Sequence, residues 1–125
     1  LVAVDVEPAA VERVGALCDI GVVADLRDPV AAVGAVRAAG AGPADLTVNV
    51  VNATGCEPAA ILLTADRGTV LMYSMATSFQ TAALTADGMS ADVTMVIGNG
   101  FAPDRGAYAL DLVRRVPALH QALRS

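Results

Sequence analysis

Asp5 closes the apolar run Leu1-Val2-Ala3-Val4 three residues before Pro8, a proline suited to the first turn of a helix. A carboxylate at such a strand-to-helix turn can accept hydrogen bonds from both hydroxyls of a ribose diol. It would repel a 2′-phosphate, so it favours NAD over NADP. The same residue also reads as a helix-entry aspartate with no ligand. Three other apolar runs end in small or polar residues: Asn52-Ala53-Thr54-Gly55, Ser74-Met75-Ala76-Thr77 and Gly98-Asn99-Gly100. Small residues let a ring approach the backbone, and backbone groups there could bind a carboxamide. Asn52 has an alternative reading as a cap of the next short helix, and Gly98 with Gly100 one as a tight turn.

Other chemistry finds little support. His120 is the only histidine and falls in the last helical segment, so no Ser/His/Asp or Cys/His arrangement can be assembled around it. A catalytic zinc needs three protein ligands, which the chain does not gather, and no metal is expected. Cys18 and Cys56 read as small core or near-core thiols. Asp104 reads as a helix cap, and Arg114 with Arg115 as a solvated face. The catalytic acid and base are not identifiable from the residues.

These exits need strands and helices to position them. Short Val- and Ile-rich runs alternate with Ala-rich segments of helical period, the pattern of repeated β-α units on a parallel sheet. Strands are predicted over Leu1 to Val6, Gly21 to Ala24, Leu46 to Val51, Gly68 to Ser74 and Asp92 to Gly98. Helices are predicted over Pro8 to Leu17, from Pro29 behind an Asp28 cap, over Pro58 to Thr64, Ser78 to Leu84 and Arg105 to Leu123, the last kinked or split at Pro117. Val30, Val33 and Val36 are the expected buried side of the second helix. The runs Val48 to Val51 and Val93 to Ile97 are continuously apolar, as strands covered on both faces should be. The fold class is therefore α/β, a Rossmann-like doubly wound parallel sheet. Ligands bind such sheets outside the carboxyl ends of the strands, which singles out Asp5, Asp25, Asn52, Ser74 and Asn99.

The glycine-rich phosphate turn of a dinucleotide fold lies about 20 residues before its ribose-binding acid, which here would precede residue 1. The five strands are then the second to sixth of a six-stranded sheet in order 3-2-1-4-5-6, lacking the first strand and the glycine turn. Residues 1–125 read as a partial NAD-binding domain, with the substrate domain outside this chain. The first and third strands would each show an unpaired edge.

With 125 residues, 13 acidic against 8 basic and a net charge of -5, the chain is one domain at most, and its field opposes a phosphate backbone. Nucleic-acid and membrane partners are not expected. Its apolar runs are far shorter than the ~20 residues of a membrane span. The N-terminus lacks the features of a signal peptide and reads as a cut end. With two cysteines, a cytoplasmic location is expected. The apolar run Val93 to Ile97 is a candidate edge for a homodimer.

The stretch Gly68-Thr69-Val70-Leu71-Met72-Tyr73-Ser74-Met75-Ala76-Thr77-Ser78-Phe79, continuing through Ala82-Ala83-Leu84 to Asp92-Val93-Thr94-Met95-Val96-Ile97-Gly98-Asn99-Gly100, resembles the L-erythro-3,5-diaminohexanoate dehydrogenase family. The likeness extends over nearly the whole chain. It implies an NAD-dependent oxidative deamination in lysine fermentation, in which 3,5-diaminohexanoate, NAD and water give 5-amino-3-oxohexanoate, ammonia and NADH. It also implies Asp5 for the ribose, with Asn52, Ser74 to Thr77 and Asn99 at the cofactor, and a small-molecule amine as substrate. Two rivals remain: another medium-chain NAD(P)-dependent oxidoreductase, and a non-catalytic nucleotide-sensing module.

Overall fold

A computed structural model describes residues 1–98 and 102–124. The chain runs β1 (Val2–Asp5), α1 (Pro8–Arg13), β2 (Ile20–Val23), α2 (Pro29–Ala38), β3 (Ala44–Asn49), α3 (Glu57–Leu62), β4 (Thr64–Met72), α4 (Phe79–Gly88), β5 (Thr94–Ile97), α5 (Arg105–Arg115) and α6 (Pro117–Arg124). Every strand pairing is parallel, as the alternating pattern predicts, and the fold is α/β and Rossmann-like. There are two compact units, one of residues 1–23 with 102–124 and one of residues 24–98.

In the first unit β1 pairs with β2, Val2 opposite Ile20 through Asp5 opposite Val23. Helix α1 stops at Arg13 rather than Leu17, because the Gly15 amide turns back to the Glu12 carbonyl and the Leu17 amide to that of Val14. It packs on both strands so closely that a Cβ on Gly21 would sit 2.6 Å from Val11 Cγ1. The closing helical segment splits at Pro117, with Val116 in extended backbone, as the residue before a proline prefers.

In the second unit the strand order is β3-β4-β5. The expected order 3-2-1-4-5-6 prescribes these neighbours, and the β1-β2 pair, for the strands present. Thr47 lies opposite Val70 and Val70 opposite Met95, while Asn49, Met72 and Ile97 form the next row. On this face Val70 and Met72 are buried with Ala60 and Ile61 of α3 and Ala82 of α4. On the other face Leu46, Val48 and Val96 stay exposed.

Several expected boundaries are corrected. β3 ends at Asn49, two residues before Val51, and β4 begins at Thr64 rather than Gly68. Between the pairs Ala44–Thr64 and Leu46–Thr69 the register shifts, with Arg67 at φ 63 and its amide donating to the Asp92 carbonyl. Gly68 completes this bulge: a Cβ there would meet the Ala65 carbonyl oxygen at 2.8 Å. In α2, Asp28 Oδ1 does accept the Ala31 amide at 3.1 Å. The buried face, however, is Ala32 and Val36, four apart, while Val30 is 78% exposed because two helical positions separate it from Ala32 by about 200°.

Candidate active site at the strand exits

Four described strand exits share one device, in which a short polar side chain accepts the backbone amide two residues on. Asp5 Oδ1 takes the Glu7 amide at 2.9 Å and Asp25 Oδ1 the Arg27 amide at 2.9 Å. Asn49 Oδ1 takes the Val51 amide and Ser74 Oγ the Ala76 amide, both at 3.1 Å. Such turns relieve the chain of unpaired amides as it leaves a sheet and aim polar groups at the carboxyl ends of the strands. Three of the four, Asp5, Asp25 and Ser74, are strand-exit residues that the sequence singles out.

The two aspartates differ in what remains free. Asp25 is clamped by Arg27, whose Nε donates to Oδ1 at 2.9 Å and whose terminal nitrogen donates to Oδ2 at 2.8 Å. The guanidinium hydrogen bonds, and next the Arg27 amide, hold the Asp25 carboxyl well below its ordinary range, at about 2. Asp5 is half-buried, and among the described residues nothing pairs with its Oδ2. That oxygen sits at the end of a parallel strand, where a ribose hydroxyl would need an acceptor. The residues present at this exit therefore fit the ribose end of a dinucleotide.

Asn52 falls three residues beyond the end of β3, is exposed, and does not cap the next helix; the cap position of α3 belongs to Cys56. The residue that holds the β3 exit is Asn49, which is buried and whose Nδ2 lies 3.7 Å from Met72 Sδ. Its signal was a polar side chain inside the apolar run Leu46 to Val51.

The segment 74–78 turns on itself, the Thr77 amide donating to the Ser74 carbonyl. Ser78 then caps α4 by accepting the Thr81 amide at 3.2 Å. Met75 at its tip is fully exposed, whereas Ala76 and Thr77 are half-buried. Asn99 and Gly100 lie outside the described residues; Gly98 packs so near the Tyr73 ring that a Cβ would fall 2.2 Å from it. Asp104 precedes α5 in left-handed backbone and makes no side-chain capping bond.

A residue that sequence reasoning passed over joins this site. Glu57, at the start of α3, is only 2% exposed; its Oε1 accepts the Ser78 amide at 2.7 Å. Its Oε2 and the Thr77 Oγ are buried without a partner among the described residues. Beside it Cys56 is also buried; that burial, and next the charge of Glu57, push the Cys56 thiol up. Among the described residues no three His, Cys, Asp or Glu side chains gather to hold a metal, and no helix is long and apolar enough to cross a membrane.

No protein-family model matches the chain. Curated proteins do. L-erythro-3,5-diaminohexanoate dehydrogenase of Fusobacterium nucleatum subsp. nucleatum is 36% identical over 118 residues, which cover 94% of this chain and 34% of that enzyme. The enzyme of the same name from Acetoanaerobium sticklandii is 43% identical over 70 residues, 56% of this chain and 20% of that enzyme. The chain is a homologue of these dehydrogenases. It spans about a third of the length of the first L-erythro-3,5-diaminohexanoate dehydrogenase and a fifth of the second. The resemblance implied by the Ser74 to Phe79 and Ile97 to Gly100 stretches is thus supported by independent matches to oxidoreductases.

Proposed function

We propose that this chain is part of the cofactor-binding portion of an NAD-dependent enzyme that oxidatively deaminates L-erythro-3,5-diaminohexanoate to 5-amino-3-oxohexanoate in lysine fermentation. The dehydrogenase names of its homologues support the reaction class. The observation that carries the cofactor is the Asp5 exit, where one carboxylate oxygen is fixed by the Glu7 amide and the other is unpaired among the described residues. That oxygen accepts the ribose hydroxyls, and the charge disfavours a 2′-phosphate. When bound, the nicotinamide supplies the acceptor for the hydride leaving the amine-bearing carbon.

The chain's own residues orient and shield. Ser74, Met75, Ala76 and Thr77 at the β4 exit and Asn52 after β3 serve the cofactor in this reading, and Asn99 is assigned to it from the sequence alone. The substrate domain lies in the rest of the full-length enzyme. That enzyme is cytoplasmic and a homodimer, pairing through the outer edge of β5.

Calorimetric titration of the full-length protein with NAD and with NADP tests the cofactor. NAD should bind more tightly than NADP, and Asp5→Ala should weaken NAD by about 1–3 kcal/mol, the loss expected for a charge-assisted hydrogen-bond partner. Equal binding of NAD by wild type and variant would remove Asp5 from the cofactor site.

A further inference from the structure

We propose that Glu57 Oε2 and Thr77 Oγ form the recognition point for an ammonium group, that of the amine substrate if the dehydrogenase reading above holds. Glu57 is buried to 2% exposure, yet among the described residues its carboxyl group is met by one donor, the Ser78 amide on Oε1 at 2.7 Å. Oε2 has none, and the Thr77 hydroxyl on the residue next to Ser78 has none either. Leaving a buried carboxylate oxygen unmet is costly, and natural interiors satisfy such groups with a proton donor. Two oxygens beside one backbone segment call for a group with several N–H donors and a positive charge.

The local charge points the same way. Cys56 senses two carboxylates, those of Glu57 and Asp25, against one guanidinium, that of Arg27. Arg27 is committed to Asp25 through two side-chain bonds. A cation at Glu57 would therefore be attracted without competing for an existing ion pair. Both atoms are shut off from bulk water, so a charge placed there acts at low dielectric and discriminates strongly between an amine and a neutral isostere. The position is apt: α3 follows the exit of β3, and segment 74–78 follows the exit of β4, the end of a parallel sheet where ligands bind.

A purely structural role predicts something different. If Glu57 served only to hold segment 74–78, an uncharged side chain with the same acceptor at the same length would suffice. Glu57→Gln keeps an oxygen for the Ser78 amide and removes the charge. Thr77→Val keeps the shape and removes the hydroxyl.

Both variants of the full-length protein are to be compared with wild type in the deamination of 3,5-diaminohexanoate and by NMR during titration with methylammonium chloride, with potassium chloride at equal ionic strength as control. Glu57→Gln should raise KM for the diamine about tenfold or more with NAD binding changed less than twofold, and Thr77→Val should raise that KM about threefold. Methylammonium should shift the Ser78 amide resonance in wild type but not in Glu57→Gln. Turnover with an unchanged KM in Glu57→Gln overturns the ammonium site and leaves the dehydrogenase reading standing. A methylammonium shift that depends on Glu57, in a protein that does not oxidise the diamine, keeps the site and overturns that reading. Absence of both turnover and shift overturns both.

Discussion

Of the buried apolar side chains among the described residues, only Val22 belongs to residues 1–23 and 102–124; the other nine lie in residues 24–98. The two units are thus unequal in core. In one, a two-stranded pair carries a single short helix, and α5 and α6 bury no residue. In the other, α3 and α4 close over Val70 and Met72. An isolated strand pair is marginal in water, whereas three strands with a helix-covered face can stand alone. The difference separates two jobs. Asp5, the proposed ribose acceptor, sits on the thin unit, where its free oxygen costs little because it meets water. Glu57 sits in the thick unit, where an unmet oxygen is expensive and so calls for a ligand.

Truncating the thick core should show the contrast most strongly. Ile61 is 2% exposed and contacts the buried face of the sheet, so Ile61→Ala should lower the opening free energy of the β4 amides by about 2–5 kcal/mol. Val22→Ala should lower that of the β1 and β2 amides by about 1 kcal/mol, since fewer buried neighbours lose contact. Hydrogen exchange by mass spectrometry on the full-length protein reads both peptides together. Similar losses at the two sites would break the comparison.

Glycine replacements sharpen it at smaller scale. At Gly68 a Cβ meets the backbone oxygen of Ala65 at 2.8 Å and that of Asp45 at 3.0 Å, and neither can turn aside. Gly68→Ala should cost about 1–3 kcal/mol, in the range of an overpacked site. At Gly21 the obstacle is a single methyl of Val11, which can change rotamer, so Gly21→Ala should cost under about 1 kcal/mol. Thermal melting of the two variants orders them; a larger loss at Gly21 would mean that α1 is held more rigidly than its sparse burial implies.

Much of this was legible in the sequence, in the places where one local cause decides the outcome. Asp28 with Pro29 fixes the start of α2, Pro117 splits the closing helix, and the alternation of apolar runs with Ala-rich segments gives parallel strands. Val30 and Asn49 show where local pattern stops. A run of valines at helical spacing marks an apolar stripe, but which side of the stripe is covered depends on what packs there, and α2 turns Ala32 and Val36 inward. Asn49 ends β3 early because its side chain competes for the Val51 amide, a tie across two residues that apolar periodicity does not register. Glu57 was illegible for a stronger reason. Its role depends on the Ser78 amide, 21 residues away, and only the folded chain brings the two together.

The smallest expected effect concerns the strand-exit aspartates, Asp5 open and Asp25 closed. Asp25 titrates at about 2, below its ordinary 3.8, because Arg27 bonds its charged form. A depressed carboxyl contributes stability that is fully present above about pH 4 and is lost as the pH falls through about 2. Both side chains are well exposed, so solvent screens the pair and the contribution is small. In Arg27→Gln the Asp25 pKa, followed by carbon NMR of the carboxyl group, should climb part of the way towards 3.8. The Arg27 backbone amide still donates to Oδ1 and keeps it from recovering fully. The stability gap between wild type and variant should be constant above pH 4 and close between pH 4 and 2. NAD affinity should stay within twofold of wild type, because the proposed ribose acceptor is Asp5. A loss of NAD binding in Arg27→Gln would shift the cofactor contact from the open exit to the closed one and take that role from the thin unit.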